Sequence, residues 1–248
     1  MMNCHAIGSG LAILAVAVCI GCSNSSGRPA SGSAPVPPDQ VTDFSLLYGQ
    51  NCAGCHGVDG KGGAAVALAN PVFLAIADNT VIRRIASNGV PGTPMSAFAQ
   101  SAGGMLTEKQ IDALVSGIRS WAKPNALGSQ TPPPYTATTH GDPQRGATVY
   151  RTYCSACHGA DGRGGSKASS IVNSSYLALV SDGELRMIVI AGRPDLGSPD
   201  WRGDVEGRRP MSTQEVSDVV AWLSSQRPKF PGQPYAISSM NPARGEFQ

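Results

Sequence analysis

Four of the seven cysteines fall in two Cys-x-x-Cys pairs, Cys52 with Cys55 and Cys154 with Cys157, and a histidine follows each pair at once, His56 and His158. Two cysteines about one helical turn apart can form thioethers to the vinyl groups of a haem, and a histidine directly after them can turn its imidazole onto the iron. A Cys-x-x-Cys pair can also cycle between dithiol and disulfide, but that motif sits at a strand-to-helix junction of a βαβ unit, and no such pattern surrounds either pair. A zinc shared by the four thiolates would unite distant segments and leave both histidines without a role. A disulfide framework needs an oxidising compartment and an even number of thiols, and it too ignores the histidines. Covalent haem attachment at both motifs uses every residue.

The elements that must hold these residues come in duplicate. NCAGCHGVDGKGG at 51–63 returns as YCSACHGADGRGG at 153–165. Further on, Asn70, Phe73, Leu74, Arg83, Ile85, Gly89 and Pro91 meet Asn173, Tyr176, Leu177, Arg186, Ile188, Gly192 and Pro194, with one residue inserted. Near each end Leu106 and Thr107 lead to Ile111, Leu114, Val115 and Ile118, as Met211 and Ser212 lead to Val216, Val219, Val220 and Leu223. Both sets have the spacing of an amphipathic helix. Thr107 and Ser212 suit N-caps, and Glu108 and Asp142 put negative charge near helix starts, where the macrodipole favours it. The fold class expected is all-α. In each copy a helix precedes the Cys-x-x-Cys-His, a Gly-rich loop follows, a middle helix covers about 79–87 or 183–191, and a last helix closes the unit.

Register carries a packing expectation. Aligned on the cysteines, Phe44 meets Gly146; aligned on the last helices, Gly117 meets Trp222. If first and last helices cross here, each copy pairs one large side chain with one glycine, and they differ in which helix supplies the bulk.

Together these motifs resemble the class I c-type cytochromes, and the whole chain is similar to a dihaem cytochrome c, two tandem cytochrome c domains at 41–123 and 142–227. The resemblance implies two covalently attached haem c groups per chain, attached outside the cytoplasm, and a methionine in the loop before the last helix as sixth iron ligand. Met95 occupies that loop in the first copy; Met105, against the helix start, is the weaker rival. His/Met ligation raises the reduction potential. In the second copy Ser198 stands at the aligned position and Phe98 then meets Trp201. Met211 is the substitute ligand, although the helix alignment matches it to Leu106, a hydrophobic residue before an N-cap; an open or water-bound iron is the alternative. Met187 matches Arg84 and reads as packing, His140 as a solvated histidine of the connecting segment, and Trp201 and Trp222 as core. The pairs Arg83/Arg84 and Arg208/Arg209 have the charge to meet haem propionates or an acidic redox partner.

The N-terminus reads as an export signal at 1–21: the apolar run 11–20 is too short to span a bilayer and small residues follow it. Ile20-Gly21-Cys22-Ser23 resembles a bacterial lipoprotein processing site, which implies lipidation of Cys22 and a membrane anchor. Cys19 stands where leucine is usual and the first ten residues hold no Lys or Arg, so a plain secretory signal is the alternative. Residues 22–40, rich in Ser, Gly and Pro, suit a flexible tether; 124–141 reads as a linker and 228–248 as an irregular tail. A formal charge of only +2 and 15 % charged residues imply no nucleic-acid partner.

The function expected is electron transfer between a redox donor and an acceptor protein, on the periplasmic side of a bacterial membrane, as a free carrier or as an electron-entry subunit of a respiratory complex. No catalytic residues are evident, so an enzyme is not expected. The alternative is a dihaem peroxidase or gas-binding protein with an open second haem, although no distal histidine lies near to act as acid-base catalyst.

Overall fold

The computed structural model describes residues 35–203 and 207–228, with the backbone of 240–241 and 246–247. The export signal, Cys22 and its lipidation, residues 22–34 of the tether and most of the tail lie outside the described residues. The described residues of both repeats, from Asp39 onward, belong to one compact unit.

The protein is all-α, with two tandem copies of one helical unit. The first runs α1 (Phe44–Asn51), α2 (Ala53–His56), α3 (Pro71–Ile76), α4 (Asn79–Asn88) and α5 (Glu108–Ser120). The second runs α6 (Pro143–Tyr153), α7 (Ser155–His158), α8 (Ser174–Leu179), α9 (Asp182–Ala191) and α10 (Thr213–Ser225). The strands among the described residues are the antiparallel pair Met240–Asn241 and Glu246–Phe247.

Local chemistry sets the boundaries. Asp43 and Asp142 cap α1 and α6 by accepting backbone N–H bonds, and Pro143 opens α6, where a missing N–H costs nothing. Thr107 with Gln110 and Ser212 with Glu215 form reciprocal capping boxes at the starts of α5 and α10. Gly89 and Gly192 end α4 and α9 with φ of 67° and 63°, a conformation that side chains resist. The six-residue α3 and α8, which hydrophobic periodicity does not announce, are capped by Asn70 and Asn173.

The first and last helices of each copy cross at glycine. A Cβ on Gly117 would run into the Phe44 ring, and one on Gly146 would lie 2.8 Å from Trp222 Cβ and 2.6 Å from the Asp218 carbonyl carbon. Glycine stands at the crossing in both copies, although what Gly146 meets is the α10 backbone and the Trp222 Cβ rather than the indole. Trp121 meets Phe44 and Tyr48 edge-on at 5.3 and 5.0 Å, whereas Trp222 stacks on Tyr150 at 4.2 Å. Ile111, Leu114 and Ile118 of α5 and Val216, Val219 and Leu223 of α10 are buried, as is Trp201.

Arg119 and Arg227 do one job from positions that do not align. Arg119 donates to the carbonyls of Leu74 and Ala77 and to Asn79 Oδ1; Arg227 donates to those of Leu177 and Val180 and to Asp182 Oδ1. Each ties its closing helix to the end of the short helix, satisfying carbonyls that a helix terminus leaves free. Buried Arg186 donates to Ser217 Oγ and to the carbonyls of Pro134 and Tyr135, so residues between the copies take part in the second unit's packing. Its counterpart Arg83 instead forms ion pairs with Asp112 and Glu108.

The two copies share an apolar core, with α3 packed on α9, and the second copy has a smaller cluster of its own around Leu177, Leu185 and Leu223. Asn70 caps α3 with its Oδ1 and donates from Nδ2 to the carbonyl of Ala191 at 2.8 Å. No helix among the described residues is long and apolar enough to cross a membrane.

Candidate functional site

The two cysteine motifs are built alike. Cys52 ends α1 and Cys154 ends α6, their N–H groups bonded to the carbonyls of Tyr48 and Tyr150 at 2.8 and 2.9 Å. The chain then makes one helical turn. His56 N donates to the Cys52 carbonyl and His158 N to that of Cys154, each at 3.0 Å, while Cys55 and Cys157 donate to the same carbonyls at 3.2 Å. Cysteines three apart in one turn share a face, the arrangement that two thioethers to one macrocycle need. None of the four is in a disulfide. Burial, and then the neighbouring Cys55 or Cys157, pushes the thiols of Cys52 and Cys154 up to about 11. Among the described residues no three His, Cys, Asp or Glu side chains are placed to hold a metal ion together.

The imidazoles are oriented the same way. His56 Nδ1 lies 2.7 Å from the Val66 carbonyl and His158 Nδ1 lies 2.8 Å from that of Ser169. A carbonyl only accepts, so the proton sits on Nδ1 and the lone pair on Nε2 is left for a metal, the second-shell device that fixes a ligating histidine. Burial lowers the His56 pKa, the Val66 bond opposes this and the nearby Arg193 charge adds to the lowering, which favours the neutral ring a ligand must be. Each motif ends in a glycine of positive φ, Gly57 at 83° and Gly159 at 80°, which turns the chain into the Gly-rich loop. Tyr48 donates its hydroxyl to the Gly57 carbonyl at 2.8 Å, and Tyr150 bonds to Gly159 in the same way. Burial raises both phenol pKa values, so both stay protonated as donors. These tyrosines and the two carbonyls escaped the sequence reading, although a tyrosine four residues before each motif was a visible signal.

The distal segments differ. Met95 is half-buried on a turn in which Val90 N donates to the Met95 carbonyl at 2.9 Å and Met95 N to Thr93 Oγ1 at 3.2 Å. In the second copy Arg193 N donates to the Ser198 carbonyl at 3.0 Å, so Ser198 holds the backbone place of Met95. Met211 N donates to the Trp201 carbonyl at 2.9 Å, as Leu106 N does to that of Phe98 at 2.8 Å, and Met211 is buried in the apolar core. Met187 is buried, Met105 is 82 % exposed, and His140 is exposed with its carbonyl taken by Gln214. Arg208 stacks over Tyr153 and Arg209 pairs with Glu215, so both arginines have partners within the chain.

The sequence profile described as Cytochrome c matches residues 45–121 and 143–227, well over half of the chain and one segment per copy. The chain belongs to the cytochrome c family. Membership brings covalently bound haem c and haem-based electron transfer, and the cysteine and histidine geometry fits that group in both copies. The cytochrome is 34 % identical over 128 residues to a cbb3-type cytochrome c oxidase subunit CcoP of Azospirillum sp. (strain B510), a match covering 47 % of this chain and 38 % of that protein. It is 23 % identical over 247 residues to a cytochrome bc1 complex cytochrome c subunit of Mycobacterium bovis, covering 95 % of this chain and 82 % of that one. Among solved structures, a Kuenenia stuttgartiensis reducing HAO-like protein complex chain is 18 % identical, with a TM-score of 0.40 over 79 % of this chain and 100 % of that chain.

Proposed function

We propose that the protein is a two-haem electron carrier, with haem domains at 41–123 and 142–227 and one haem c on each cysteine motif. Cys52 and Cys55 hold the first haem with His56 as proximal ligand; Cys154 and Cys157 hold the second with His158. The bound haems supply a one-electron couple of the iron. The chain's residues orient the imidazoles, bury the attachment face and fix the distal segments. The observation that carries this reading is the repeated Nδ1-to-carbonyl bond, which presents Nε2 in both copies.

Met95 is the sixth ligand of the first iron in this reading. The second iron is where the copies part. With Ser198 in the backbone place of Met95 and Met211 in that of Leu106, Met211 is assigned to packing before the Ser212 cap. This favours a second reading, in which the second haem has no methionine ligand and takes a small exogenous ligand. Neither reading assigns catalytic residues, and the carrier role is preferred. The export signal and the Cys22 motif support a place on the periplasmic side of a bacterial membrane, held by a lipid anchor. The names of the oxidase and bc1 subunits support a respiratory complex as redox partner.

Absorption spectra of the purified protein, oxidised and reduced, with and without carbon monoxide, test both readings. A wholly low-spin protein indifferent to carbon monoxide refutes the open second haem. A protein in which half the haem is high-spin and binds the gas supports it, and one in which all the haem does so removes Met95 as a ligand.

A further inference from the structure

The second copy carries a charged pair where the first has none. Arg193 and Asp195 align with Val90 and Gly92. Arg193 bonds Asp195 through Nε and Nη2 at 3.0 and 2.8 Å, with side chains only 9 % and 11 % exposed. Both partners also reach across to the first copy's haem-attachment loop. Arg193 Nη2 donates to the Gly63 carbonyl and Gly62 N donates to Asp195 Oδ2, each at 2.7 Å. Gly63 is itself pressed on the cysteine motif: a Cβ there would lie 2.6 Å from the His56 carbonyl carbon. At its other end Arg193 exchanges two backbone hydrogen bonds with Ser198, at 3.0 and 2.9 Å.

We infer that Arg193 and Asp195 are positioning residues that clamp the second haem's distal segment onto the first haem's attachment loop and so set the rate of electron exchange between the two haems. This rests on the two-haem reading above. A buried ion pair contributes little net stability, because desolvation offsets the attraction, but one whose remaining donors and acceptors are met by another segment's backbone fixes register. The side chains of Val90 and Gly92 can form no such bonds, and the charged pair stands in the copy whose turn bonds to the other copy's loop. Electron tunnelling falls steeply with separation, so a bond set spanning His56's loop and Ser198's turn would fix the spacing on which transfer between bound haems depends. The Asn70 bond to Ala191 lies beside it and supports the same docking.

The test is the double substitution R193V/D195G, which installs the first copy's residues and leaves no lone buried charge. Haem content is counted first. A wild-type chain with fewer than two covalent haems overturns the two-haem reading and the clamp with it. With two haems in both proteins, intramolecular electron equilibration is followed after pulse reduction, alongside the potential and spectrum of each haem. A several-fold slower equilibration at unchanged potentials and spectra is expected. A lower melting temperature with the wild-type rate marks a merely structural contact and overturns the clamp. Should the double variant fail to mature, D195N, which keeps the Arg193 bond to Gly63, is expected to slow equilibration less, and an unaltered rate there overturns the proposal equally.

Discussion

Substituting alanine for Gly117 and Gly146 in the haem-loaded protein separates a clash that can relax from one that cannot. Both sites lie within helices, so each gains about 1 kcal/mol of helix propensity from alanine, and the difference between them isolates the packing cost. At Gly117 the nearest atoms to a new Cβ all belong to the half-buried Phe44 ring, which can move only by turning about its Cα–Cβ bond and giving up part of its packing on Tyr48 and Trp121. At Gly146 they are the Asp218 carbonyl group and Trp222 Cβ, atoms fixed to the α10 backbone. Restoring the 3.4 Å of ordinary contact from the 2.6 Å at the Asp218 carbonyl carbon parts α6 and α10 by at least about 0.8 Å, since the carbonyl oxygen lies nearer still. Over-packing of this kind costs about 1–3 kcal/mol. G117A is therefore expected near wild type, the propensity gain offsetting the displaced ring, and G146A about 1 kcal/mol below it once the same gain is subtracted from an over-packing cost of about 2 kcal/mol, or about 2–4 °C in melting temperature. Denaturation followed by circular dichroism measures both. F44A should make G117A neutral or stabilising in its own background, a coupling a double-mutant cycle reads directly. W222A should not rescue G146A, because the obstructing carbonyl remains. A G117A protein less stable than G146A, or rescue by W222A, refutes the assignment of which atoms obstruct.

Three further outcomes follow from the same structure. R119A and R227A each strip the donors from two carbonyls at the end of a short helix, and each should cost about 2 kcal/mol in denaturant unfolding. Asp218 and Asp195 both titrate below the ordinary carboxyl range. For Asp218, burial pushes upward and is outweighed by the Arg145, Asp142 amide and Gln214 bonds; for Asp195, the Arg193 bond leads. Their stabilisation is complete above the unfolded value of about 4 and is lost as pH falls through the lower folded values. D218N should therefore flatten the acid limb of a stability-against-pH curve, and an unchanged slope contradicts this. M95A should retain both covalent haems while lowering the potential of the first and opening it to carbon monoxide, seen by redox titration and difference spectra; an unaltered potential removes Met95 from the iron.

Much of the fold was legible because its signals are local. The caps at Thr107 and Ser212, the negative charge of Asp142 at a helix start and the period of Ile111, Leu114 and Ile118 specify helices without reference to anything distant. The glycine at each helix crossing, Gly117 and Gly146, was legible because a repeat supplies its own comparison. Helices α3 and α8 were not, since six residues give too few turns for a period to emerge; only the Asn70-Pro71 cap signal marks the first. The shared role of Arg119 and Arg227 stayed hidden because the two do not align, one lying inside α5 and the other beyond the end of α10. At the candidate site the cysteines and histidines announced themselves, whereas the Val66 and Ser169 carbonyls carry no side-chain signature. The Arg193 and Asp195 bonds depend on which surfaces of the two copies meet, and their only trace in the sequence is a charged pair replacing Val90 and Gly92.

The most direct test of the central claim is the intact mass of the mature protein after expression with a haem-maturation system, beside variants C52A/C55A and C154A/C157A. Two covalent haems in the wild type and one in each variant are predicted, with the surviving haem still low-spin where Met95 is its neighbour. A mature wild-type chain without covalent haem, or with a single haem lost in only one of the variants, contradicts the account.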